Sequence, residues 1–186
     1  AFSGQEGAHA TTFKHRALIR DTFGIRDSGT YLKNFKEFQT NIERVLKGDE
    51  FTHTLLKSAY HELETHKEVI EQYCGFLTHT DFVPHNIRIH KGTLYLLDHS
   101  SLVFGNKYEG WARFLNFMTL YNPPLTDALT QYVKDNRTPE ESVSLRLMRI
   151  YRLGEIIWYY AKSLGHCSGN LKVLNTERVH FWGVIL

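Results

Sequence analysis

Two carboxylates and an amide fall within one short stretch, His79-Thr80-Asp81-Phe82-Val83-Pro84-His85-Asn86-Ile87, followed by Leu96-Leu97-Asp98. Asp81 and Asn86 flank a proline-containing loop. Ile87-Arg88-Ile89-His90 alternates with period two, Lys91-Gly92 is a turn signal, and Thr93 to Leu97 is β-branched and apolar. The pattern predicts a hairpin, Ile87–His90 with Thr93–Leu97, in which Ile87 and Ile89 face inward and His90 faces solvent. A hairpin returns the chain on itself, so Asp98 comes back near Asn86. Two carboxylates and one amide oxygen would then face one small volume. Hard oxygen ligands of that kind suit Mg²⁺, which keeps several waters and usually shares a phosphate. A carboxylate beside such a site can accept a proton from an attacking hydroxyl.

Other chemistries find less support. His79, His85, His90 and His99 raise a zinc reading, but they lie on loop and strand without a ligand spacing. His61-Glu62-Leu63-Glu64-Thr65-His66 has one residue too many for a zinc-protease helix, since histidines at i and i+5 stand about 140° apart. No G-x-S-x-G elbow offers a nucleophilic serine. Asn136-Arg137-Thr138 matches a glycosylation pattern, yet Thr138 is better used as a helix cap.

The elements that must hold the Asp81 loop are mostly helical. Tyr31, Phe35, Phe38, Ile42 and Val45 recur at helical spacing. A second helix is expected from about Thr52 to Tyr73, with the stripe Leu56, Ala59, Leu63, Ile70 and Tyr73 and a stop at Gly75. After the hairpin, helices are expected over Tyr108–Leu120 and Leu125–Lys134. Thr138-Pro139-Glu140-Glu141 is a capping signature that opens another, stopping at Gly165. Gly154 inside that helix costs about 1 kcal/mol relative to Ala, which suggests close approach of a neighbouring helix. Asn175 is read as the cap of a last helix. Trp111, Phe114, Phe117 and Tyr121 read as a core stripe and Trp158, Tyr159 and Tyr160 as core and surface, with a pocket lining as the alternative for either group; Glu109 and Arg113 are pocket residues or a solvated face, and the face is preferred.

With 186 residues, 42% of them hydrophobic and 23% charged, the chain is globular, which sets disorder and coiled coil aside. A net charge of +2 calls for neither nucleic acid nor an anionic membrane. No apolar run approaches the roughly 18 residues of a spanning helix. Cys74 and Cys167 are far apart and form no CxxC, which fits a reducing, cytoplasmic setting. The start lacks a leader pattern and an initiator Met, and the end, Phe-Trp-Gly-Val-Ile-Leu, looks like a cut inside a helix. The expectation is a fragment.

His79-Thr80-Asp81-Phe82-Val83-Pro84-His85-Asn86 resembles the catalytic loop of the protein-kinase-like superfamily, H-x-D-x-x-x-x-N. Asp98 follows twelve residues after Asn86, where that superfamily places its second metal-binding Asp. Within it the stretch is similar to the aminoglycoside phosphotransferase and choline kinase branch. Thr80 and Val83 replace the Arg and Lys of many protein kinases. His-Ser-Ser follows Asp98, and the next helix leaves no room for a long activation segment. The resemblance in motif covers Leu77 to Asp98. It implies that Asp81 orients the substrate hydroxyl and accepts its proton. It also implies that Asn86 and Asp98 bind Mg²⁺ bridging the phosphates of ATP, with His79 and Pro84 in support. His99 departs from the aromatic that usually follows the Asp. A strand-rich lobe with a phosphate-covering loop and a Lys is not recognisable, because the 75 residues before Phe76 read as helix.

The resulting expectation is a mainly α fold with a small β-hairpin (α+β), the C-terminal lobe of a protein-kinase-like fold. It forms a single domain over 1–186, helical at 8–74, with the loop and hairpin at 76–98 and helices at 108–186. The expected function is ATP-dependent phosphorylation of a small-molecule hydroxyl, with the N-terminal lobe as missing partner, and neither nucleic acid nor membrane. Two alternatives remain: an inactive kinase-like binding module, and a His-rich metal-dependent hydrolase.

Overall fold

The computed structural model of the chain describes residues 17–186 and, ahead of them, Gly4, Glu6, Gly7 and His9. The helical start expected at residue 8 lies outside the described residues. In chain order the elements are β1 (Gly24–Ile25), α1 (Ser28–Val45), α2 (Glu50–Thr65), α3 (Lys67–Gln72), β2 (Phe76–His79), β3 (Ile87–His90), β4 (Thr93–Leu96), β5 (Leu102–Gly105), α4 (Glu109–Tyr121), α5 (Pro123–Asn136), α6 (Pro139–Ser163) and α7 (Gly169–Ile185). Short 3-10 turns stand at Arg20–Thr22, Pro84–Asn86 and His99–Ser101. The fold is thus mainly helical with small sheets, as the periodicity predicts. The described residues form two compact units. One comprises those up to Ser28 with Glu68–Arg149, the other Gly29–Lys67 with Ile150–Leu186.

In the first unit β5 is the centre of a three-stranded sheet, parallel to β1 and antiparallel to β2. Neither β1 nor β5 is expected from sequence, and β1 corrects the all-helical reading of the residues before Phe76. Two residues carry no periodicity. β1 exists because β5 offers it a partner, and Arg26 N–H extends the pairing to Phe104 O at 2.7 Å. The hairpin forms where expected, with Ile87 opposite Leu96 and Ile89 opposite Leu94. Its two-residue loop holds Lys91 at φ 49° and Gly92 at φ 78°, the left-handed pair that matches strand twist. Ile87 and Leu96 pack on the buried cluster Phe82, Phe114 and Met118. Ile89, expected inside, is 75% exposed, because the tip of the hairpin overhangs the end of that cluster.

Trp111 and Phe114 on α4 are buried as expected, whereas Tyr121 is exposed. Glu109 is not on a solvated face. It is fully buried, and Arg26 Nη1 donates to its Oε1 at 2.6 Å. A buried carboxylate needs such a partner. Asn106, also fully buried, donates to Ile70 O and to Ser144 Oγ, both at 3.0 Å, joining α3 to the start of α6. The capping box is present: Thr138 N–H donates to Glu141 Oε2 at 3.1 Å and Glu141 N–H to Thr138 Oγ1 at 3.2 Å.

In the second unit Tyr31, Phe35 and Ile42 of α1 are fully buried, and Tyr31 meets Tyr151 edge-on at 4.8 Å between ring centroids. Gly154 lets the Phe35 ring approach as its position suggests, and a Cβ there would lie 3.0 Å from Phe35 Cδ2 and 3.1 Å from Cζ. The helix expected over Thr52–Tyr73 is broken at His66 into α2 and α3. The His66 ring reinforces the end of α2, its Nδ1 donating at 3.0 Å to Glu62 O, the carbonyl that also accepts His66 N–H at 3.3 Å. The chain passes from the second unit to the first at this break. Asn175 is not a cap. It lies buried inside α7, donating to Ser163 Oγ at 2.8 Å, while Ser168 stands at the start. Exposed Leu171, Val173 and Leu174 blur the amphipathic pattern that would have marked that start. No helix among the described residues is long and apolar enough to cross a membrane.

Candidate functional site

β2 delivers the chain into the loop. Thr80 N–H and Oγ1 both donate to Ser101 O, at 2.9 and 3.1 Å, tying the loop entrance to the start of β5. Phe82 and Val83 then turn into the core, both buried. With those two side chains inward, Asp81 and His85 keep part of their side chains at the surface of the loop. Pro84 opens the 3-10 turn, where its missing N–H and fixed φ cost nothing, and Asn86 N–H closes it on Val83 O at 3.0 Å.

The Asn86 side chain binds the loop to Asp81. Its Nδ2 donates to Asp81 O at 2.9 Å and to Asp81 Oδ2 at 3.0 Å. Both bonds use the amide nitrogen and keep the Oδ1 available as a ligand. Asn86 O accepts Leu97 N–H at 2.8 Å, one pair beyond the end of β4, so Asp98 follows directly on the residue paired with Asn86. His79, buried, donates from Nε2 to Leu97 O at 2.9 Å. A carbonyl only accepts, so that nitrogen carries the proton. His79 therefore joins the strand before Asp81 to the strand before Asp98. Asp81 and Asn86 are hydrogen-bonded to each other and Asp98 follows Leu97 at the end of the hairpin, but its carboxylate is bonded to Ser100 and Ser101 and not to Asp81 or Asn86.

Asp98 itself is exposed and holds a left-handed backbone, φ 60° and ψ 61°. Ser100 Oγ donates to its Oδ1, and Ser101 Oγ donates to its Oδ2 at 2.9 Å. The hydroxyl of Ser100, then that of Ser101, holds the Asp98 carboxyl below the usual carboxylate range, so it is ionised at neutral pH. His99 turns back along the chain, with its Nε2 donating to Leu96 O at 3.0 Å.

Arg113, for which the solvated face is the preferred reading from sequence, stands in the site. Its Nε donates to Asp81 Oδ1 at 2.9 Å, with both side chains half-buried. His85 Nε2 lies 3.7 Å from the other oxygen, Oδ2, and its ring stands edge-on to Phe117 at 6.2 Å. Arg113 and Phe117 are one turn apart on α4, so that helix supplies one wall of the site. The i, i+4 spacing of Glu109 and Arg113 looks like a surface ion pair. The signal against it is the neighbouring run Trp111, Ala112, Phe114 and Leu115, which leaves little of the helix for solvent.

Asn86 Oδ1 and the Asp98 carboxylate are oxygen donors of the type that Mg²⁺ takes, and they are two ligands of the six it needs. Among the described residues no group of three His, Cys, Asp or Glu side chains comes together to hold a metal. No family model, curated protein or solved structure matches the chain.

Proposed function

We propose that the chain carries the catalytic loop of an ATP-dependent phosphotransferase that moves the γ-phosphate to a hydroxyl of a small molecule. The observation that carries the reading is the Asn86 side chain. It fixes Asp81 through two hydrogen bonds while its backbone carbonyl anchors the strand end that leads to Asp98. Asp81 orients the acceptor hydroxyl and takes its proton as the oxygen attacks phosphorus. Asn86 Oδ1 and the Asp98 carboxylate would hold Mg²⁺, which supplies charge neutralisation to the phosphates when bound. His79 and Pro84 keep the loop in register. Catalysis under this reading is positioning and electrostatics more than covalent chemistry. The other face of the nucleotide requires a lysine-bearing lobe, on this polypeptide or a partner.

The test is Mg²⁺-dependent ATP consumption by the full-length protein with a panel of small alcohols. Asp81→Asn is expected to lower turnover about 100-fold or more, the scale of a positioned base. An Asp81→Asn protein with wild-type turnover would sink the reading. So would a wild-type protein whose ATP consumption no alcohol stimulates. That second result, with nucleotide binding retained, favours the inactive binding module.

A further inference from the structure

Both oxygens of Asp81 face cationic or potentially cationic groups: Arg113 Nε at 2.9 Å from Oδ1 and His85 Nε2 at 3.7 Å from Oδ2. Arg113 uses only Nε for this bond. Among the described residues its two Nη groups have no hydrogen-bond partner, and its side chain is 23% exposed. The His85 side chain is 60% exposed. Substituents next to an acceptor hydroxyl at Asp81 would lie within reach of these two side chains.

We infer that the small molecule bound against Asp81 carries a carboxylate or phosphate close to its hydroxyl, held by the Nη groups of Arg113 and the imidazole of His85. A guanidinium presents parallel N–H donors that match the two oxygens of such a group. The half-buried setting strengthens that pairing relative to open solvent. The same two side chains act against an acceptor with a cationic group next to its hydroxyl, which would meet like charge at Arg113. The inference rests on the phosphotransferase reading only for the fate of the hydroxyl. Binding of the anion stands on Arg113 and His85 alone.

The experiment is calorimetric titration of the full-length protein, without nucleotide, with D-glycerate, glycerol 3-phosphate and the neutral glycerol. At least one anion is expected to bind ten times or more tighter than glycerol. Arg113→Met is expected to erase that preference, and Arg113→Lys to retain part of it. His85→Gln, at an exposed position where folding is not at stake, is expected to reduce it severalfold. Equal affinity for all three compounds, no measurable binding of any, or an anion preference that survives Arg113→Met would overturn the inference. If Arg113 instead serves the terminal phosphate of the nucleotide, Arg113→Met weakens ATP relative to ADP and leaves the glycerate-to-glycerol ratio unchanged, which also overturns it. An anion preference in a protein that transfers no phosphate to any alcohol would remove the phosphotransferase reading and leave the anion site standing.

Discussion

Replacing Gly154 by Ala sets two opposing terms against each other. In an exposed helix the change would stabilise by about 1 kcal/mol. At this position the new methyl would lie 3.0 Å from Phe35 Cδ2 and 3.1 Å from Cζ, and closer still to Cε2. Carbon atoms in contact prefer roughly 3.5–4.0 Å, so either the ring or α6 must move by about 1 Å to relieve the contact with Cε2. Phe35 is fully buried, and its ring is backed by Phe38 at 6.5 Å between centroids, so the ring has little freedom to turn away. Overpacking of this kind costs about 1–3 kcal/mol. The close approach to Cε2 puts the cost at the upper end of that range, so subtracting the helix gain leaves a net loss of about 2 kcal/mol, or roughly 4–8 °C in Tm for a chain of this size. Thermal and urea unfolding of Gly154→Ala, Phe35→Leu and the double variant would measure it. The double variant is expected to lose less than the sum of the two, because a smaller side chain makes room for the methyl. A Gly154→Ala protein more stable than wild type, or strict additivity in the double variant, would refute the close-packing argument.

Asp98→Gly separates two roles of one residue: it removes the carboxylate and relieves the left-handed backbone at φ 60°. The expected outcome is an unfolding temperature equal to or above wild type with Mg²⁺-dependent nucleotide binding lost; unchanged Mg²⁺-dependent affinity would count against a metal role. Lys91→Asn places a residue that tolerates φ 49° ahead of Gly92, and should stabilise the hairpin by about 0.5–1 kcal/mol, read as slower amide exchange at Ile89 and Leu94. His9 is buried, and that burial, assisted by the charge of Lys107, lowers its pKa to about 4. An unfolded His binds its proton near pH 6.5, so the unfolded state holds more protons between 6.5 and 4, and stability falls as pH drops through that window. His9→Leu is expected to flatten the stability profile there; an unchanged slope would show that His9 does not carry it.

The loop and hairpin were legible because their signals are local. Asp81, Asn86 and the turn at Lys91-Gly92 lie within a dozen residues, and each conformation is set by the chain next to it. The capping box at Thr138 and the close approach at Gly154 are of the same kind. What sequence reading missed depends on partners distant in the chain. β1 takes its form from β5 and Glu109 its burial from Arg26, pairings separated by nearly eighty residues or more. Arg113 joins the site only because α4 runs beside the Asp81 loop. Asn175 looks like a cap by type, but its amide answers a hydroxyl on the preceding helix.

Neither compact unit is continuous in sequence, and this bears on how the chain emerges during synthesis. The second unit needs Gly29–Lys67 and Ile150–Leu186 together. Its first helices are made early and then wait while Glu68–Arg149 is translated, roughly 4–16 s at about 5–20 residues per second. During that interval Tyr31, Phe35, Leu56 and Leu63 have no completed core to enter. The first unit can close as soon as Arg149 has left the ribosome, ahead of the unit whose helices were begun before most of it.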